Sequence, residues 1–87
     1  MAWTLEFEAP ARKQLRKLGP ATSERILAGM ERIAALDDPR QRGKALSGNR
    51  AGFWRWRFGD YRVIAQLEDR KLVIVVVAVG HRREVYD

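Results

Sequence analysis

Apolar and polar residues alternate with period two on both sides of Gly59-Asp60, from Trp54 to Leu67. A Gly-Asp pair is a two-residue hairpin connection in which Gly supplies the positive φ of a type II′ turn, so Phe53 to Leu67 is predicted to form a β-hairpin. With Gly59 and Asp60 as the loop, Phe58 faces Tyr61, Arg57 faces Arg62, Trp56 faces Val63 and Arg55 faces Ile64. Directly opposed residues share a face of a sheet. Trp54, Trp56, Phe58, Tyr61, Val63, Ala65 and Leu67 therefore point to a core, and Arg55, Arg57 and Arg62 point the other way.

The same pattern divides the rest of the chain. Met1 to Glu8 alternates as a strand, with Trp3, Leu5 and Phe7 on one face and Thr4, Glu6 and Glu8 on the other. Pro10 suits the first turn of a helix, and Ala11, Leu15 and Leu18 give a short amphipathic helix over Ala9 to Leu18. Gly19-Pro20 ends that helix and starts a second, which the stripe Ile26, Leu27, Met30, Ile33 and Ala34 carries to about Leu36. Asp37-Asp38-Pro39 closes it. Arg40 to Gly52 has no periodicity and reads as a basic loop anchored by Leu46. Leu72 to Val79 is apolar throughout and reads as a strand covered on both faces, ended by Gly80. The expected fold is α+β, in the order β-α-α-β-β-β. A small, mainly antiparallel sheet carries a helical hairpin on its Trp-bearing face, and the place of the first strand is left open.

With 87 residues, residues 1–87 read as a single domain that buries only about 60–65% of its unfolded surface. No run approaches the ~20 apolar residues of a membrane span, and the N-terminus lacks the pattern of a signal peptide. The expectation is a soluble, cytoplasmic protein with no membrane partner. The absence of Cys removes disulfides and thiolate chemistry, and a single His without clustered carboxylates makes a metal cage improbable, so no cofactor or metal is expected.

A net charge of +6 favours an anionic partner. Arginine matches phosphate bidentately and stacks on bases, which leans toward nucleic acid. The three hairpin arginines have an electrostatic cost: two unit charges about 5 Å apart repel by roughly 0.8 kcal/mol in water and about 3 kcal/mol at an effective dielectric near 20. A solvated polar face accounts for them without function; a polyanionic ligand accounts for their clustering. Arg12, Lys13, Arg16 and Lys17 on the first helix, and Lys44 and Arg50 in the basic loop, are further candidates for RNA contact, as is Arg83 near the C-terminus. His81 has the one intrinsic pKa near neutrality and is a reserve acid or base.

The element order and the segments Lys44-Ala45-Leu46-Ser47-Gly48, Trp54 to Ile64 and Val79 to Tyr86 together resemble the RelE/ParE toxin superfamily, and within it the RelE branch. The resemblance spans nearly the whole chain. It implies a type II toxin that cuts mRNA in the ribosomal decoding site without metal, activating a ribose 2′-hydroxyl against the adjacent phosphate, and that a cognate antitoxin silences. By that likeness Arg55 and Arg57 stand where two functional lysines stand in the type member, and Arg62, Arg82 and Tyr86 fall on the remaining active-site positions. The turn after Arg57 and the segment from Gly80 to Tyr86 are each shorter here. The implied partners are ribosome, mRNA and an antitoxin whose acidic, amphipathic segment folds on binding. The alternative within the superfamily is a ParE-like inhibitor of DNA gyrase that acts by binding alone. A plain RNA-binding domain would expose aromatics for base stacking, whereas this hairpin turns its tryptophans inward.

Overall fold

Gly59 adopts φ +62° while Asp60 keeps a negative φ, the combination a type II′ turn requires. The hairpin closes around it in the expected register, with Arg57 opposite Arg62, Arg55 opposite Ile64 and Trp56 opposite Val63. In the computed structural model, which describes residues 3–81, the strands are β1 (Thr4–Phe7), β2 (Lys44–Ala45), β3 (Trp54–Phe58), β4 (Tyr61–Glu68) and β5 (Val73–His81). They form one sheet in the order β1-β5-β4-β3-β2. All neighbours are antiparallel except β1 and β5, so the first strand lies parallel at one edge.

Helices α1 (Ala9–Lys17) and α2 (Pro20–Ala34) cover one face. Each has Pro in its first turn, where a missing N–H costs nothing, and Gly19 between them takes φ +86°. Ala11 and Leu15 from α1 and Ile26, Met30 and Ile33 from α2 pack on Trp56, Val63, Ala65, Ile74, Val76 and Val79. Burying each large apolar side chain contributes about 1.5–3 kcal/mol. Both inner tryptophans also anchor the chain that leaves α2: Trp3 Nε1 donates to the Asp37 carbonyl at 3.2 Å and Trp56 Nε1 to the Pro39 carbonyl at 3.0 Å.

Three details differ from the pattern-based expectation. Helix α2 ends at Ala34, short of Leu36. The basic loop is not structureless: 3-10 turns at Pro39–Arg42 and Gly48–Arg50 flank β2. Strand β5 continues through Gly80 to His81, because β4 still offers Arg62 and Tyr61 as pairing partners there.

A bulge explains why β5 reads as apolar on both faces. Ala65 pairs with Val76 but Ile64 pairs with Ala78, so Val77 is an extra residue. Ile74, Val76 and Val79 face the helices, while Val77 and Ala78 join Leu46, Phe53 and Ile64 in a second, thin cluster on the opposite face. Leu46 is the anchor its place in the loop suggested, 7% exposed.

Candidate functional site

The face that the helices leave open carries the arginines. Pairing aligns Lys44, Arg55, Ile64 and Ala78 in one row across β2 to β5, and Arg57, Arg62 and Gly80 in the next. Lys44 therefore joins the cluster. Gly80 brings no side chain to the position opposite Arg62, which leaves room above β5 in that row.

Arg55 is 7% exposed, beside the Leu46 and Ile64 patch, whereas Arg57 is exposed and Arg62 half-buried. Burial lowers the pKa of Arg55, and the charges of Arg57 and Arg62 lower it further. An arginine so placed remains a cation at neutral pH but holds its charge against its surroundings. A bound anion would favour the charged form of Arg55.

Two hollows meet at this edge of the sheet. One, of about 370 Å³, is lined by Arg42, Gly43, Lys44, Arg55 and Arg57. The other, of about 430 Å³, opens between α2 and β3, with Arg32, Arg42 and Arg57 around apolar walls from Ile33, Leu36 and Phe58. Arg42 and Arg57 line both. Arg32 does not stand out in the sequence as a site residue, and Arg42 does so only as one cation of a basic loop that could extend the cationic face; α2 and the 3-10 turn bring both to the cleft beside β3.

Other candidates lie elsewhere. Arg12, Lys13, Arg16 and Lys17 are exposed on the outside of α1, in the helical layer and so across the sheet from Arg55, Arg57 and Arg62. Arg12 also donates to the Phe7 carbonyl at 2.9 Å. Arg50 sits in the turn before β3, at the other end of that strand from Arg57. His81 pairs with Tyr61 and meets its ring edge-on at 5.7 Å, on the helix-covered side of the register rather than the arginine side. Arg40 does not extend the cationic face. It bridges Asp38 at 3.1 Å and Asp69 at 2.8 Å and lies over the Trp54 ring, and the Asp69 bond foremost raises its pKa. Arg82, Arg83 and Tyr86 lie outside the described residues. Among the described residues no group of three or more His, Asp or Glu could hold a metal, and no helix is long and apolar enough to cross a membrane.

A two-helix layer on one face of a five-stranded sheet, with a cationic open face, defines the class as a small α+β domain. Residues 5–86 match the family described as the ParE toxin of type II toxin-antitoxin systems, parDE. The chain is 35% identical to toxin RelG of Mycobacterium tuberculosis, covering 99% of this chain and 98% of that one. It is 34% identical to the mRNA interferase toxin RelE of Escherichia coli, covering 99% and 92%. Its fold matches the crystal structure of the toxin-antitoxin complex RelBE2 from M. tuberculosis with a TM-score of 0.80, at 28% identity over 94% of this chain and 100% of that one. The chain belongs to the RelE/ParE family of type II toxin-antitoxin toxins and is RelE-like within it.

Proposed function

We propose that this toxin is an endoribonuclease that cuts mRNA on the ribosome, in the cytoplasm and without metal. The observation that carries the reading is the convergence of Arg55, Arg57, Arg62 and Lys44 on one open face. Its relatives bearing the name mRNA interferase support the same chemistry.

In this reaction the ribose 2′-oxygen attacks the adjacent phosphorus, its proton passes to a base, and the P–O5′ bond breaks with O5′ taking a proton from water, to leave a 2′,3′-cyclic phosphate and a 5′-hydroxyl. Negative charge grows on the non-bridging oxygens in the transition state. Guanidiniums fixed on a rigid strand pair stabilise that charge more than the ground state, and loss of one such donor typically lowers the rate about 10²–10³-fold. Arg55 and Arg57 cannot act as bases, since both stay protonated at ordinary pH. By family likeness, Tyr86 is assigned as the base and Arg82 as a further electrostatic stabiliser. His81, aligned with Tyr61, is not given a step.

A cognate antitoxin with an acidic, amphipathic segment would silence the toxin by covering the arginine face or displacing the Tyr86 segment. The solved complex of the related toxin with its antitoxin supports such a partner.

The test is primer extension on mRNA in a purified translation system, with and without ribosomes. Ribosome-dependent cuts within codons, lost or greatly weakened in Arg62→Ala and Tyr86→Phe, are expected. No cleavage by folded wild-type protein, together with inhibition of gyrase supercoiling, would replace this reading with ParE-like binding.

A further inference from the structure

The cleft between α2 and β3 is built rather than incidental. Gly29, inside α2, costs a helix about 1 kcal/mol relative to Ala, yet a Cβ there would overlap the Phe58 ring. Glycine lets Phe58 lie against the helix and form one wall of the cleft, with Ile33 and Leu36 from α2 beside it. β2 begins only at Lys44, opposite Arg55, so the edge from Trp56 to Phe58 has no neighbouring strand from β2 and the cleft stays open along it.

Its chemistry is mixed in a specific way. Two aromatic residues, Trp56 and Phe58, and two aliphatic side chains make an apolar interior, while Arg32, Arg42 and Arg57 supply cations around it and no acidic residue lines it. A volume near 430 Å³ is within the range of about 300–1,000 Å³ typical of small-ligand pockets. A planar, uncharged group joined to an anion complements such a site, and a nucleotide is both. The cleft is also continuous with the proposed cleavage face, because Arg42 and Arg57 line both hollows.

We propose that the α2–β3 cleft is a nucleotide subsite for RNA. It takes the base of a residue flanking the cleaved bond against Phe58 and Leu36, with Arg42 and Arg57 on the intervening phosphate and Arg32 at the far rim. The proposal rests on the nuclease reading and adds to it a site that binds a base. An acidic peptide would satisfy the arginines but leave the aromatic wall unused, so RNA is the better match.

The experiment is single-turnover cleavage on ribosomes programmed with short mRNAs in which the residue on either side of the cut is, in turn, made abasic. For one placement the wild type should lose about tenfold, as expected for one stacked base. In Phe58→Leu the same base removal should cost less than about threefold, a coupling that a merely structural role of Phe58 would not produce. Arg32→Ala and Arg42→Ala, both at exposed positions, should each raise the half-saturating toxin concentration about three- to tenfold, while Arg70→Ala leaves it unchanged. Equal base-removal penalties in wild type and Phe58→Leu would overturn the subsite, and if Arg62→Ala still abolished cutting the nuclease reading would survive. Wild type that cuts nothing would overturn both. Unchanged cleavage by Arg32→Ala and Arg42→Ala, with weakened binding of the cognate antitoxin, would assign the cleft to a protein partner instead.

Discussion

The side-chain carbonyl of Gln14 accepts the backbone N–H of Val79 at 2.8 Å. Strand β1 pairs with β5 only as far as Phe7 and Val76, and Glu8 N–H to the Val76 carbonyl is the last backbone bond between them. Beyond that point α1 replaces β1 as the neighbour of β5. Gln14 thus does for the Val79 amide what a strand would have done, and holds in place the half of β5 that runs toward Gly80.

Gln14→Ala is expected to cost about 0.5–1.5 kcal/mol, the net worth of a part-buried hydrogen bond. Denaturant unfolding would measure it, and the Val79 amide should lose protection from hydrogen exchange more than those of Ile74 and Val76. Equal loss at all three would show a general destabilisation rather than release of this end of the strand.

Gly43 is a second point where packing dictates the residue. Its backbone is ordinary, but a Cβ would stand 2.8 Å from Trp56 Nε1, the atom that donates to the Pro39 carbonyl. Gly43→Ala should cost about 1–3 kcal/mol by overpacking. For a domain this size, each kcal/mol lowers Tm by about 4–8 °C. A change below about 1 °C would mean that the 3-10 turn yields without strain.

How much of this was legible follows from phase. The hairpin could be read pair by pair, because Trp and Arg alternate from Trp54 to Arg57, Arg62 follows Tyr61 beyond Gly59-Asp60, and a one-residue slip would bury the arginines. Strand β5 could not. In Leu72 to Val79 every residue is apolar, so nothing marks Val77 as extra, and it is the bulge that puts Gly80 rather than Val79 opposite Arg62. The parallel seat of β1 was equally hidden, since its alternation fixes its buried face but not its neighbour. Strand β2, two residues long, has no period at all. Lys44 was visible as a basic residue, whereas its alignment with Arg55 is a product of pairing. Arg32 looks like a solvated charge in the sequence and Arg42 like one cation of a basic loop; both come to line one cleft with Arg57 only through the fold.

The arginine face should trade stability for function. The pKa of Arg55 is lowered by burial and then by Arg57 and Arg62, so its charged form is disfavoured in the folded state relative to the unfolded chain. Arg55→Met keeps the bulk and removes the charge. It is expected to raise stability by about 0.5–2 kcal/mol, as function-linked sites often do when neutralised, while lowering cleavage at least about tenfold. Sulfate, which can sit among the guanidiniums, should raise the Tm of wild type more than that of the variant. A less stable Arg55→Met protein would show that the guanidinium is a structural tie.

Arg40 should behave in the opposite way to its near neighbour Arg42. Its bonds to Asp69 and Asp38 and its seat over Trp54 tie the segment after α2 to the β4–β5 turn, and the raised pKa means the folded state favours its charged form. For a group raised in this way the contribution is fully present below the ordinary arginine pKa and lost only as pH climbs through the higher folded value. Titration of Arg40 therefore adds no slope to stability between about pH 6 and 9. The Asp69 end is largely exposed, with 66% of its side-chain surface accessible, so solvent screening limits the pair. Arg40→Ala is expected to cost no more than about 1 kcal/mol, with the loss shrinking in high salt. Its mRNA cleavage should match wild type, whereas Arg42→Ala should need more toxin for half-saturation at unchanged stability. Measuring both variants for unfolding and for cleavage separates the two roles. A cleavage defect in Arg40→Ala at wild-type stability would place Arg40 on the RNA path after all.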